Sequence, residues 1–274
     1  MATINFTKMH GAGNDFVVID RRDAKTPLSR LQLKSIADRH RGIGCDQIVL
    51  IEPAVTGADI RFRFHNADGS EAGACGNGAR CAASMVMLGE DRRVLSIETI
   101  ASFLQADMDP SGRVTIDMGP AKLDWRDIPL AAEHDTLHLP ILVGELAAPA
   151  AVGMGNPHCV FLVDDAEAID IESVGSAIEC HPLFPERTNV EFLSPMADGR
   201  WRMRVWERGV GVTLACGSGV CAAVVTAARR GRLVGQSAEF VVDGGVLSAE
   251  WRKNGNVLLS GPVATSFTGV YRGV

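Results

Sequence analysis

Apolar and polar positions alternate along this chain in a way that predicts many short strands and few helices. Residues 3–7 and 15–20 read as strands joined by the turn His10-Gly11-Ala12-Gly13-Asn14, which puts Asn14 on a loop. Ser29 can cap a helix running to about Arg39, and the turn Arg41 to Gln47 leads into a strand at 48–51. Ile60-Arg61-Phe62-Arg63-Phe64-His65 alternates as a half-buried strand does. Residues 79–89 read as a buried helix, followed by strand-like runs near 94–100, 103–108 and 114–118. A similar order returns later: turn and strand at 153–164, a helix within 166–179, a strand at 190–193 and an alternating strand at 201–206. An apolar helix at 222–228 and runs at 239–242, 246–251 and 257–260 complete it. Residues 121–151, rich in Pro, Ala and Leu, hold the crossover and predict no clear element.

The order repeats because the punctuation repeats. Cys75-Gly76 and Cys216-Gly217 lie 141 positions apart, and Asn14 and Asn156 lie 142 apart. At nearly the same offset Gln47 maps to Asn189, Asn66 to Glu207, and Gly119-Pro120 to Gly261-Pro262. Five matches in order predict a duplication, hence two domains: 1–120 plus 263–274, and 121–262. The tail 263–274 is expected to return to the first domain after the second Gly-Pro.

Composition narrows the function. A net charge of −6 with 46% hydrophobic residues argues against a nucleic-acid partner. The N-terminus lacks a charged lead before an apolar core, so the expected location is cytoplasmic. Residues 209–228 carry no charge and are long enough to span a bilayer, but glycines 209, 211, 217 and 219 interrupt them, which favours a buried helix and no membrane partner. Seven cysteines without framework spacing fit a reducing compartment.

Candidate chemistry sits in the two repeated cysteine loops. Cys75 and Cys216 each precede a glycine at a predicted helix start, where unpaired amides and the helix dipole favour a thiolate and can cradle an anion. Cys45, Cys81, Cys159, Cys180 and Cys221 are read as packing residues. A zinc site from Cys75, Cys81, Cys216 and Cys221 has spacings wider than structural zinc sites use, so no metal is expected; a zinc- or redox-sensing binding protein is the alternative of another class. His134 and His138 have metal-pair spacing in a segment too rich in proline for a helix, and read as surface residues. His158, Glu207 and Arg208 fall in repeated segments, Arg208 as a carboxylate binder. Two equivalent thiols suit inversion of a carbon centre, one taking the α-proton of an amino acid while the other returns one from the far face. Amides at the two helix starts then stabilise the carbanion, and the scheme needs no cofactor. None of the lysines (Lys8, Lys25, Lys34, Lys122, Lys253) lies in a glycine-rich site of the kind a pyridoxal enzyme uses.

The segments HGAGNDF (10–16), GIGCDQ (42–47), NADGSEAGACGNGARC (66–81), GNPH (155–158), RTNVEF (187–192) and WERGVGVTLACGSGVC (206–221) resemble the diaminopimelate epimerase family from end to end. The resemblance implies cofactor-independent interconversion of LL- and meso-diaminopimelate for lysine and cell-wall synthesis, usually by a homodimer. It implies an α/β (α+β) fold of two pseudo-symmetric domains, each a strongly curved, mainly antiparallel sheet around a buried central helix, with the active site in the interdomain cleft. By position it makes Cys75 and Cys216 the catalytic pair. Asn14, Gln47, Asn66, Gly76, Asn77, Asn156, Asn189, Glu207, Arg208, Gly217 and Ser218 become substrate contacts, and His158 and Glu207 tune the thiols. Val212 departs from a common glutamate and Trp206 from a common tyrosine. A racemase or epimerase of another amino acid is the alternative within the same chemistry.

Overall fold

In the computed structural model, which describes residues 3–24, 26–73 and 75–273, the chain forms two compact units, Met1–Asp117 with Gly261–Val274 and Met118–Ser260. In chain order the first unit contains β1 (Thr3–Gly11), β2 (Asn14–Asp20), α1 (Arg30–Ala37), β3 (Gln47–Glu52), β4 (Ile60–Asn66) and β5 (Glu71–Ala72). It continues with α2 (Gly76–Gly89), β6 (Val94–Glu98), β7 (Phe103–Met108) and β8 (Val114–Pro120). The second has a small hairpin, β9 (Leu142–Val143) and β10 (Leu146–Ala147), then β11 (Ala150–Gly153), β12 (Pro157–Leu162), α3 (Ile171–Glu179), β13 (Asn189–Pro195) and β14 (Trp201–Glu207). It closes with β15 (Gly211–Val212), α4 (Gly217–Arg229), β16 (Ser237–Val242), β17 (Gly245–Trp251) and β18 (Asn256–Gly261). The tail strand, β19 (Ala264–Arg272), pairs antiparallel with β1 from Thr3↔Arg272 to His10↔Ala264 and so belongs to the first unit.

The duplication extends to strand register. In the first unit β2 and β3 pair parallel with Phe16 opposite Gln47, and in the second β12 and β13 pair parallel with His158 opposite Asn189. Likewise β4 meets β6 in parallel at Ile60↔Ile97, and β14 meets β16 in parallel at Trp201↔Phe240. The remaining pairings inside each unit are antiparallel, so both sheets are mixed.

Each sheet curls around a central helix. Helix α2 packs against β1, β2, β3, β4, β6 and β7, and α4 against β11, β12, β13, β14, β16 and β17. Six neighbouring strands span roughly 24 Å at the usual spacing, about twice a helix diameter. A flat sheet of that width leaves its outer strands out of reach, so contact requires curvature. Both helices are built to be surrounded: Ala79, Cys81, Ala82 and Ala83 of α2, and Val220 to Val225 of α4, are fully buried. At Gly78 a Cβ would fall 3.0 Å from the Phe16 ring and 3.2 Å from the Phe64 ring, so only glycine lets α2 approach so closely. The opposite sheet faces carry smaller helices. Leu33 and Ile36 of α1 pack with Val17, Ile19, Ile48 and Leu50, and Ile171 and Ile178 of α3 pack with Phe161, Val190 and Phe192. Strands β3 and β13 are thus covered on both sides.

The sequence readings differ from the structure in a few places. The first hairpin turns on two residues only, Ala12 (φ 51°) and Gly13 (φ 80°), as a tight twisted hairpin prefers. Asn14 therefore opens β2, paired with Gly11, rather than lying on a loop. Helix α1 stops at Ala37, two residues short of the expected end, and its start is set by a capping box in which Ser29 and Gln32 satisfy each other's backbone N–H. Cys180 is exposed rather than packed, because it is the C-cap of α3. No helix among the described residues is long and apolar enough to cross a membrane; residues 209–228 divide into the short strand β15, a connection and α4.

Candidate active site

Each unit builds a thiol at the start of its central helix. In the first, Cys75 is the N-cap of α2 in an extended conformation (φ −136°, ψ 114°), and its carbonyl accepts the first helical bond from Ala79 N–H. The residue before it lies outside the described set. The Cys75 Sγ lies 3.8 Å from Asn14 Oδ1, to which it donates, and Asn77 Nδ2 donates to the same oxygen at 3.2 Å. Asn77 Oδ1 in turn accepts from Arg80 Nη2 at 3.0 Å, and both of those side chains are buried inside the curled sheet. Arg80 leaves no room at the hairpin above it, since a Cβ on Gly11 would fall 3.0 Å from its Nη2.

Asn14 is held from its other end. Its Nδ2 donates to Asp46 Oδ2 at 2.7 Å, and Asp46 belongs to a cluster with Arg39, Asp15 and Lys8. Burial pushes the Asp15 carboxyl up, but hydrogen bonds from Arg39 and Lys8 outweigh it and hold Asp15 far below the usual carboxylate range. On the next strands Gln47 Nε2 donates to Asn66 Oδ1 at 3.0 Å, a cross-strand pair, and Asn66 Nδ2 donates to Ser70 Oγ. Asn14, Asn77 and Cys75 thus form one hydrogen-bonded group, with Gln47 and Asn66 a second pair of carboxamides on adjoining strands.

In the second unit Cys216 caps α4 with similar backbone angles (φ −113°, ψ 109°). Its Sγ accepts from Gly219 N–H at 3.4 Å and lies 3.5 Å from Ser218 Oγ. Burial pushes this thiol well above its ordinary value; the negative charge of Glu207 adds to the push, and the Ser218 and Gly219 hydrogen bonds oppose it. His158 is fully buried, with Nδ1 2.6 Å from Glu191 Oε1 and Nε2 2.9 Å from Asn156 Oδ1. Asn189 spends both ends of its carboxamide on backbone, donating to the Pro157 carbonyl and accepting from Arg208 N–H. Glu207 accepts from Thr213 Oγ1, and Arg208 Nη1 donates to the Glu186 carbonyl. Val212 is partly exposed on the short strand paired with β14, and Trp206 fills the space over Gly175 and donates to Glu179.

Among the described residues no group of three or more His, Cys, Asp or Glu is placed to hold a metal ion, and Cys81 and Cys221 are fully buried in helix interiors. The sequence profile of the family described as diaminopimelate epimerase matches residues 6–123 and 150–265. A diaminopimelate epimerase of Rhodospirillum centenum is 55% identical over 265 residues, covering 96% of this chain and 91% of the relative. The chain belongs to the diaminopimelate epimerase family.

A second member of the diaminopimelate epimerase family, from Acidiphilium cryptum, is 52% identical, covering 96% of this chain and 95% of its own. Among solved structures, a PhzF-family phenazine biosynthesis protein of Enterococcus faecalis superposes with TM-score 0.73 at 16% identity over 98% of this chain and 99% of that one. A hydroxyproline epimerase of Agrobacterium vitis gives 0.69 at 16% identity over 98% and 92%. At such low identity these two show the fold alone. The diaminopimelate epimerase family is a family of isomerases, and the mixed α/β fold repeated in two halves is the one the sequence motifs implied.

Two buried side chains beside the thiols escape the sequence reading. Neither Arg80, which follows a glycine-rich turn, nor Glu191, which lies within the strand expected at 190–193, is singled out by the sequence. A signal existed for the second: His158 and Glu191 stand at the repeat positions of Phe16 and Val49, so a buried apolar pair in one half is answered by an imidazole and a carboxylate in the other.

Proposed function

We propose that Cys75 and Cys216 are the acid/base pair through which this member of the family interconverts LL- and meso-diaminopimelate. The observation that carries the reading is that each unit places one thiol at the N-cap of its central helix, in matching backbone conformation and at repeat-equivalent positions. One sulfur, as thiolate, takes the α-proton and leaves the electron pair on the α-carbon; the other, as thiol, gives a proton to the opposite face. Reversal exchanges the roles, so the chain supplies both proton-transfer groups itself.

The amides of Gly76 and Asn77, and of Gly217 and Ser218, are the donors for the α-carboxylate, where the negative charge of the carbanion is shared. Asn14, Gln47, Asn66, Asn156, Asn189, Glu207 and Arg208 are the further substrate contacts. Asn189 keeps its second N–H and its second oxygen lone pair for the substrate, beside the two backbone bonds it already makes. His158 and Glu207 set the charge around Cys216. By the same reading each unit is an epimerase domain carrying one of the two thiols, in a cytoplasmic homodimer. Seven cysteines without disulfide-framework spacing suit the compartment, and the exposed Phe267 and Val270 on β19 suit a dimer contact. Light scattering of the purified protein tests the assembly.

The decisive assay is turnover of LL-diaminopimelate in heavy water without added pyridoxal phosphate. The expected product is the meso isomer with deuterium at the inverted α-carbon. Inversion without solvent deuterium, or no exchange at all, rules the scheme out.

A further inference from the structure

The Glu191 carboxylate is fully buried, Oε1 faces His158 Nδ1, and Oε2 has no hydrogen-bond partner among the described residues. It also touches the start of α4, since a Cβ on Gly219 would fall 2.7 Å from Oε1 and 3.3 Å from Cys216 Sγ. The fold does not demand a charge here, because the first unit fills the equivalent positions with Phe16 and Val49, both fully buried. A buried ion pair is a poor way to gain stability where an apolar pair fits, so its presence asks for another reason.

A lone carboxylate with one bare oxygen is costly to bury unless its charge is cancelled close by. Near it lie the thiols of Cys159 and Cys216 and, beyond Cys216, the carboxylate of Glu207, none of which supplies a positive charge. His158 is the group that can cancel it. Glu191 and His158 then share one proton across the 2.6 Å contact and carry no net charge together, which leaves a hydrogen on the other ring nitrogen, Nε2. That hydrogen faces Asn156 Oδ1 at 2.9 Å, as an acceptor requires. The Asn156 oxygen is thereby turned inward, and its Nδ2, which takes no partner among the described residues, is left as a donor.

Resting on the epimerase reading above, we propose that Glu191 is a positioning residue. By sharing a proton with His158 it fixes the Asn156 carboxamide with its N–H groups presented to a carboxylate of the substrate. The equivalent Asn14 is wired in the opposite sense, its Nδ2 committed to Asp46 and its Oδ1 turned to Cys75 and Asn77.

Nitrogen NMR of the histidine rings in the intact protein tests this, with His158 assigned by its loss in His158→Gln. The expected spectrum shows hydrogen on Nε2 at neutral pH. A bare Nε2, with Asn156 donating to it, overturns the proposal. In Glu191→Gln the hydrogen is no longer enforced, so the Nε2 signal moves toward that of a bare nitrogen. KM for diaminopimelate rises about tenfold, as for a lost bond to a charged group, with a smaller change in kcat; Glu191→Asp restores most of both. Asn156→Asp, which keeps the acceptor and removes the donor, raises KM at least as much. An unchanged ring signal and KM in Glu191→Gln sinks the idea. Because the wild-type ring spectrum needs no turnover, a failure of the epimerase reading is told apart from a failure of this one.

Discussion

The two thiol loops share a backbone and differ in the charge set around it. Beside Cys75 the buried chain runs from a cation, Arg80, through Asn77 to Asn14. Beside Cys216 it runs from a carboxyl group, Glu191, through His158 to Asn156. Duplication supplied one scaffold twice: an extended cysteine followed by glycine at the amino end of a helix enclosed by its sheet. Divergence then acted on side chains pointing at that helix end, where a charge is felt strongly because water is excluded. A reaction that takes a proton with one group and returns one with another has use for halves alike in geometry and unlike in electrostatics.

The comparison breaks at once if the thiols are not equivalent in need. Cys75→Ser and Cys216→Ser are each expected to lower epimerisation about a hundred- to ten-thousandfold, measured by circular dichroism or coupled assay. A single variant with near-normal turnover would make one loop a bystander.

Next in size are the buried partners. Asn77→Leu removes the acceptor that faces Arg80 Nη2 and is expected to destabilise the protein by about 2–3 kcal/mol in urea unfolding. Gly219→Ala and Gly78→Ala sharpen the contrast further. In the first unit the new methyl meets aromatic rings, an overpacking cost of about 1–3 kcal/mol with no direct charge effect. In the second it meets the Glu191 carboxylate, so Gly219→Ala should lower activity by a larger factor than Gly78→Ala at matched stability loss. Equal activity losses would show that Glu191 has no special place there.

Acid sensitivity separates the halves more gently. Asp15 is held below its ordinary value in the fold, so its contribution is present above about pH 4, the unfolded carboxylate range. It is lost as pH falls below that range through the depressed folded value. Asp15→Asn should flatten that acid limb and cost about 2 kcal/mol at neutral pH; an unchanged limb would place the acid-labile group elsewhere. At the other end of the scale, Cys216 should alkylate slowly at neutral pH and faster only well above the ordinary thiol range, so that exposed Cys180 reacts before it. Glu207→Gln, by removing one negative charge, should raise the Cys216 rate a few-fold, about the size of a one-charge effect at a screened site.

Much of this was open to reading from residues in order. The capping serine of α1, the alternation at 60–65 and the paired Cys-Gly loops each depend on neighbours within a few positions or on a constant repeat offset. Asn14 reads as a loop residue in the sequence because a two-residue turn with left-handed Ala12 leaves no signature beyond Gly13. Cys180 reads as a packing residue in the sequence because its exposure follows from where α3 ends. The burial of Glu191 is hidden for a larger reason: β13 has α3 on one face and α4 on the other, so neither face is outward.

What the sequence alone determined is the repeat, the two thiols, their helix-start setting and the family, since local spacing and a fixed offset encode all four. What only the tertiary structure decided is the company each thiol keeps. Arg80 and Glu191 acquire their force by burial among strands distant in the chain, and no local pattern says which charges will be shut away from water.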